Sequence, residues 1–276
     1  MRWPHPQKTP IERFVAVLLL WMMISASVIA DNHLTDPKQL ARVLESLNWI
    51  TEEYPPFNYR DPKTGDISGM AVETLSLIFA KLGVSSENIT FKLYPWARGY
   101  HNVLNDHGTV LFSTTYTTER VAKMKFVGPI APNVVAVIAA KSSQLSVKSI
   151  EDLNQLKIGV VRDDIGEQLL ISRGVKPHTI DRLNSGLSMV KKLASGRIDA
   201  VAYAHATTQI LFNTVNINPE EFEIIFILQA SYMGYAFHKS TDERILEPMR
   251  KALDELINDG TLAQLQTKYG LKPTND

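Results

Sequence analysis

The chain has 276 residues, 45% of them hydrophobic, and its 29 lysines and arginines balance 29 aspartates and glutamates. That length and apolar content suit one large or two medium domains with an ample core. Zero formal net charge without a long basic run excludes a nucleic-acid partner gripped through its phosphates, and the lack of cysteine excludes disulfides, thiolate metal sites, a cysteine nucleophile and a lipid-anchored start.

Arg2, Lys8 and Arg13 precede an apolar run from Phe14 to Ile24, and "SASVIA" follows with Val28 and Ala30 at small-residue positions. A basic start, a short apolar core and such a site predict a secretory signal over 1–30, cleaved after Ala30. The alternative is a retained anchor; the stretch from Phe14 to Ala30 is marginal against the roughly 20 apolar residues that span a bilayer. The mature chain is expected from Asp31 in an extracytoplasmic space, most simply a bacterial periplasm.

Strands and helices then alternate. "LNWITEE" reads as a strand. In "GMAVETLSLIFAKLG" the residues Met70, Leu75, Ile78, Phe79 and Leu82 recur at helical spacing and Gly83 closes the helix. "ITFKLYP" predicts a second strand, "ARGYHNVLND" a helix and "TVLFSTT" a third strand, a βαβαβ opening typical of a parallel sheet. The pattern restarts with the apolar strand "NVVAVIAAKSS". "SIEDLNQLKIGVVRDD" predicts a short helix and a buried strand, and "GEQLLISRG" a helix. "HTIDRL" reads as a strand, "SGLSMVKKLASG" as a helix, "RIDAVAYAH" as a strand and "ATTQILFNTV" as a helix. "FEIIFIL" and "YMGYAFHK" predict two strands, and two helices close the chain. The reading is α/β with two lobes: 31–135 plus 232–276, and 136–231. The chain crosses between them near Val134–Ala139 and returns near Leu228–Met233.

Five pieces in order, "TEEYPPFNY" with "GDISGMAVETLSLIFAKLG", "STTYTTER", "LNQLKIGVVRDDIGEQLL", "LASGRIDAVAY" and "LINDGTLAQLQTKYG", span nearly all of the mature chain. Together they resemble the periplasmic solute-binding proteins of polar amino-acid ABC transporters, the family 3 type. The resemblance implies a type II-like periplasmic binding protein fold, two lobes joined by two crossing strands, and one small-molecule ligand in the cleft. Such proteins close about a hinge: the ligand touches both lobes and so favours the closed state over the open one. The resemblance also implies an inner-membrane ABC permease as partner, a monomer, no cofactor and no catalysis.

Read from the residues alone, the six hydroxyls of "STTYTTER" cap a helix beginning near Glu119, through Thr117 or Thr118, or line an anion pocket. The resemblance favours the pocket, with Ser113, Thr114 and Thr115 at a strand end and Arg120 pairing a ligand carboxylate through its two parallel donors. Tyr54 and Trp96 fall where the family has aromatics on the two faces of the ligand; core packing is the rival reading for Trp96 and Phe57, and Arg98 is near enough to add charge. In "GVVRDDIGEQ" the loop Asp163, Asp164, Ile165 and Gly166 opens a helix whose free N–H groups suit an anion; one of the aspartates serves as N-cap or faces the cleft. Tyr203 flanks Ala204, which stands where the family's amino-acid binders place an aspartate for the α-amino group. The ligand's amine is therefore held by another acid, Asp163 or Asp164, or the ligand is no ordinary α-amino acid. His205 beside it reads as a surface histidine.

No nucleophile elbow, phosphate loop or metal spacing is present, and the seven histidines are scattered. A sensing module for a membrane receptor and a dehydratase-like enzyme are the other roles this fold could host.

Overall fold

The structure is a computed structural model describing residues 36–272. The predicted signal peptide and its cleavage site lie outside these residues.

Helix α1 (Pro37–Ser46) comes first. The sequence pattern above does not include it, although its start signal is plain. Asp36 accepts the Lys38 N–H at 3.1 Å, and Pro37 takes the first helical position, where no N–H is needed. Its Leu40 and Leu44, one turn apart, are buried, and the Leu44 carbonyl accepts the Trp49 indole N–H at 2.8 Å. Strand β1 (Asn48–Thr51) follows, then a small hairpin of β2 (Tyr59–Arg60) and β3 (Ile67–Ser68), then α2 (Met70–Lys81). Gly69 before α2 sits at φ 126, and a Cβ there would lie 2.4 Å from the Phe57 carbonyl oxygen, so only glycine lets the two backbones meet. Strand β4 (Lys92–Leu93) is shorter than the predicted "ITFKLYP". It leads into α3 (Trp96–Asn105), β5 (Thr109–Thr115) and the short α4 (Thr118–Lys123).

Two strands of 17 residues each, β6 (Met124–Ala140) and β10 (Phe222–His238), pair antiparallel from Met124↔His238 to Ala140↔Phe222. Between them in sequence lie β7 (Ile158–Val161), α5 (Ile165–Ser172), β8 (Ile180–Leu183), α6 (Gly186–Ala194), β9 (Ala200–Ala204) and α7 (His205–Thr214). After β10 come α8 (Glu243–Asn258) and α9 (Thr261–Lys268). The sheet order is β4-β1-β5-β10-β6-β9-β7-β8, with β4, β1 and β5 parallel on one side and β9, β7 and β8 parallel on the other. The ribbon β6–β10 thus joins two α/β halves, the predicted class.

"FEIIFIL" and "YMGYAFHK" are one strand rather than two. The polar gap Gln229-Ala230-Ser231 breaks the hydrophobic pattern, but its backbone still pairs with Val135, Val134 and Asn133. Its side chains are used elsewhere: Gln229 Nε2 and Ser231 Oγ both donate to the Tyr116 carbonyl at 3.0 Å. For the same reason β6 begins at Met124, well before the apolar run that predicts it.

The first half packs around Trp49, with Phe79, Phe112 and Phe237 set edge-on at 5.2, 6.0 and 5.9 Å. A separate cluster under the second half includes Ile158, Val160, Leu170 and Ala202. Strands β1, β5, β7 and β9 all end on the gap between the halves, the place where open α/β sheets present their ligand sites.

Candidate functional site

Arg120, in the first turn of α4, is fully buried. Thr117 caps that helix, its hydroxyl accepting the Arg120 N–H at 3.1 Å, so the capping reading of "STTYTTER" holds. The side chain nevertheless turns inward. Nη1 donates to the Thr115 carbonyl at 3.3 Å within the first half, and Nε donates to Gln168 Oε1 at 3.2 Å in the second. Nη2 lies 3.8 Å from Asp164 Oδ1 and has no hydrogen-bond partner. The guanidinium carbon sits 5.0 Å from the Trp96 ring and 5.3 Å from the Tyr100 ring, two rings stacked on each other at 5.7 Å.

Ser113 and Thr115 present their hydroxyls to buried amides: Ser113 donates to Asn58 Oδ1, and Thr115 Oγ1 accepts from Asn133 Nδ2 at 2.9 Å. Ser113 holds φ 47, a left-handed conformation that costs a non-glycine residue roughly 1–2 kcal/mol. Thr114, between them, turns its hydroxyl back on its own strand, toward the Leu111 and Phe112 carbonyls at 3.3 and 3.4 Å. The structure therefore sets Thr115 against Arg120 through its carbonyl, turns Ser113 to Asn58 and leaves Thr114 out.

From the second half, the loop after β7 enters mainly through its backbone. The Trp96 indole N–H donates to the Asp163 carbonyl at 2.9 Å, and Gln168 Nε2 donates to the same oxygen at 2.7 Å. The Asp163 side chain turns outward to Arg182 at 2.8 Å, which is why it is no candidate for a cleft acid. Asp163 also has φ 59, and its N–H is held by Glu167 Oε2 at 2.6 Å. Glu167 is itself buried and is paired with Arg182 at 2.5 Å. Asp164 occupies the N-cap position of α5 without a side-chain capping bond; it is 4% exposed, and its Oδ2 has no partner. Burial pushes its carboxyl up to about 6, with Arg120 pulling the other way.

Ile165 belongs to the core of the second half and to the lining of an open groove of about 780 Å³ shared with Thr117, Thr118, Gln168 and Gln229. At Gly166 a Cβ would lie 2.0 Å from the Ala202 carbonyl oxygen, so this glycine is there to let α5 lie against β9.

Tyr54 stacks on Phe57 at 5.6 Å and meets Tyr203 of the other half edge-on at 5.5 Å. Tyr203 is 1% exposed and its hydroxyl has no partner. Burial raises both phenols well above their usual range. Ala204 is buried at the end of β9 and brings no charge. Arg98 points elsewhere, over the Tyr94 ring at 3.8 Å, and His205 lies beside Gln209 on α7.

Sequence reasoning missed Glu52, Tyr100, Asn133 and Gln168. Only Glu52 left a signal: an acid directly after the apolar β1, at the carboxyl end of a parallel strand. Among the described residues no group of three or more His, Asp and Glu is arranged to hold a metal, and no helix is long and apolar enough to cross a membrane.

The family model for bacterial extracellular solute-binding proteins, family 3, matches residues 47–272. The L-cystine-binding protein TcyJ of Escherichia coli (strain K12) is 25% identical over 98% of this chain and 97% of its own length. The L-cystine-binding protein TcyA of Bacillus subtilis (strain 168) is 24% identical over 92% and 96%. Among solved structures, an ancestral arginine-binding protein bound to glutamine is 27% identical with a TM-score of 0.66, covering 81% of this chain and 97% of that one. A histidine kinase sensor domain with similarity to periplasmic binding proteins has a TM-score of 0.72 at 21% identity, covering 83% and 98%.

Proposed function

The chain belongs to the bacterial extracellular solute-binding proteins, family 3, and from that premise we propose that it captures a small carboxylate-bearing polar solute, an amino acid or a relative of one, in the cleft between its halves. The mature protein, cleaved after Ala30, works as a periplasmic monomer that hands this solute unchanged to an ABC permease of the inner membrane. The first half comprises 31–135 and 232–276, and the second 136–231. The relatives that bind cystine, and the ancestral protein bound to glutamine, support an amino-acid-like ligand.

One observation carries the reading. Arg120 is a fully buried cation with an unpaired Nη2, and its nearest acid stands 3.8 Å away with an unpaired oxygen of its own. Buried guanidinium groups are rarely left so incompletely bonded. A ligand carboxylate between Nη2 and the Thr115 hydroxyl, which accepts from Asn133 and keeps its own proton free, would complete it, with Ser113 bracing the wall through Asn58. Trp96 and Tyr54 wall the ligand's body, and Tyr203 with the backbone of the Asp163–Gly166 loop closes from the other half.

The test is a calorimetric titration of the chain from Asp31 with the common L-amino acids and L-cystine, with mass spectrometry of the recovered ligand. Arg120→Ala is expected to lose on the order of 2–5 kcal/mol of binding, the range for truncating one side of a buried charged pair. Equal affinity in that variant refutes the assignment, and a chemically altered ligand refutes the binding-only role.

A further inference from the structure

The cleft holds two buried acids and one cation, and the pairing of Arg120 with Asp164 leaves the second acid over. Glu52, directly after β1, is 9% exposed. Its backbone carbonyl is pinned by Asn58 Nδ2 at 2.9 Å, and Asn58 in turn accepts from Ser113, so the residue is built into the wall that carries the anion hydroxyls. No hydrogen bond or ion pair reaches its carboxylate among the described residues. The charges acting on it are Asp164 from the second half, Arg120 from α4 and its neighbour Glu53; the phenols of Tyr54 and Tyr203 lie within its field. Two further groups in this cluster are buried and unpartnered: the Tyr203 hydroxyl and Asp164 Oδ2. With every group ionised, Arg120, Asp164 and Glu52 sum to one negative charge. A simple monoanion on Arg120 would deepen that excess inside a closed cleft, where such an imbalance is costly. A protonated amine would relieve it.

Resting on the carboxylate reading above, we propose that Glu52 is the amine acceptor of the cleft: the ligand sets its carboxylate on Arg120 and a protonated amine against Glu52, with Asp164 and the Tyr203 hydroxyl closing over it. The amine is thus held from the end of β1, on the first half, while Ala204 at the end of β9 contributes nothing to it. The ligand class is an amine-bearing carboxylate, and a second cationic group brings the cleft to neutrality.

The arrangement also couples binding to protons. Burial and Asp164 hold the Glu52 carboxyl well above the ordinary range, while Arg120 opposes them. An arriving ammonium favours the ionised form, so binding expels a proton from Glu52.

The test uses three probe sets on the chain from Asp31: L-arginine, L-glutamine and L-cystine, each with its des-amino acid and its decarboxylated amine. Calorimetry is run in buffers of differing ionisation enthalpy. Wild-type protein is expected to bind an amino acid, to bind its des-amino counterpart far more weakly, and to release protons with the amino acid. Glu52→Gln is expected to weaken amino-acid binding on the order of 30-fold or more, to narrow or reverse the preference for the amino acid over its des-amino counterpart, and to abolish the release. Glu52→Asp, which keeps the charge, is expected to retain part of the affinity and guards against a folding defect in the first variant. Wild-type affinity and proton count in Glu52→Gln overturn the proposal. So does equal binding of amino and des-amino acids, or no binding of any amine-bearing probe. A decarboxylated amine bound as tightly as its parent, with loss in Glu52→Gln, upholds the amine site and sinks the carboxylate reading.

Discussion

The indole N–H of Trp96, on the first half, donates to the backbone carbonyl of Asp163, on the second, at 2.9 Å. This hydrogen bond spans the gap that a ligand must enter, and it exists only when the halves meet. It is therefore an interaction of the closed state alone. Trp96→Phe keeps an aromatic ring on Tyr100 and deletes the bond, removing about 1 kcal/mol from closure. We expect a several-fold weaker ligand affinity and, in small-angle scattering, a more open average shape without ligand; wild-type affinity would show that the bond does not hold the bound state closed.

Gly166 gives a prediction of opposite kind. A methyl group there meets the Ala202 carbonyl oxygen at 2.0 Å, backbone against backbone, with no flexible side chain to yield. Gly166→Ala should destabilise the second half by about 1–3 kcal/mol through overpacking. For a chain of this size each kilocalorie lowers the melting temperature by about 2–4 °C. Calorimetric melting of the variant at wild-type temperature would show that α5 does not depend on this contact.

Asp164 sets a pH dependence. Its carboxyl is raised in the folded protein, first by burial and against the pull of Arg120, to about 6 from an ordinary 3.8. The folded state thus holds this proton more tightly than the unfolded one. Its contribution is fully present below about pH 4 and is lost as the pH rises through 6. Glu52 acts in the same direction, while exposed paired acids such as Asp242 and Glu243 act in the other. The difference between wild type and Asp164→Asn isolates the one group. Urea midpoints measured from pH 4 to pH 7.5 should fall more steeply with rising pH in wild type than in the variant, and parallel curves would contradict the burial of this carboxylate.

Asn58 is fully buried and bonds in two directions, donating to the Glu52 carbonyl and accepting from Ser113. Asn58→Ala strands both partners, a loss on the order of 2–6 kcal/mol at roughly 1–3 per unsatisfied buried group. Denaturant unfolding should show it, and affinity for any ligand should fall too, since the strand ends of β1 and β5 are both released. Stability unchanged within error would mean that water replaces the amide at no cost.

Legibility followed the range of the interactions. The βαβαβ opening, the capped helix at Thr117 and the crossing strands were readable because hydrophobic period and cap chemistry act within a few residues. The continuity of β10 through Gln229-Ala230-Ser231 was not, because backbone pairing to β6 holds those residues in the strand while their polar side chains hide it. The same limit applies to the site. Arg120, Trp96 and Tyr203 stood out through the family resemblance. Gln168 and Asn133 look like ordinary polar residues until tertiary packing sets them beside Arg120 and Thr115. Asp163 and Asp164 were indistinguishable in sequence; the left-handed turn at Asp163 sends its side chain out to Arg182 and leaves Asp164 buried beside Arg120.

The course of the chain bears on the order in which the molecule is assembled. Residues between β6 and β10 build the second half from one uninterrupted stretch, whereas the first half needs segments from before and after it. Tyr235 bonds the Ala71 carbonyl at 2.5 Å, Lys268 pairs with Glu73 at 2.7 Å, and Met249, Leu253 and Leu256 share a core with Trp49. As a nascent chain emerges from its amino terminus, the earlier-made strands must wait for α8 and α9 to cover them. The half begun first is therefore finished only after the half that interrupts it.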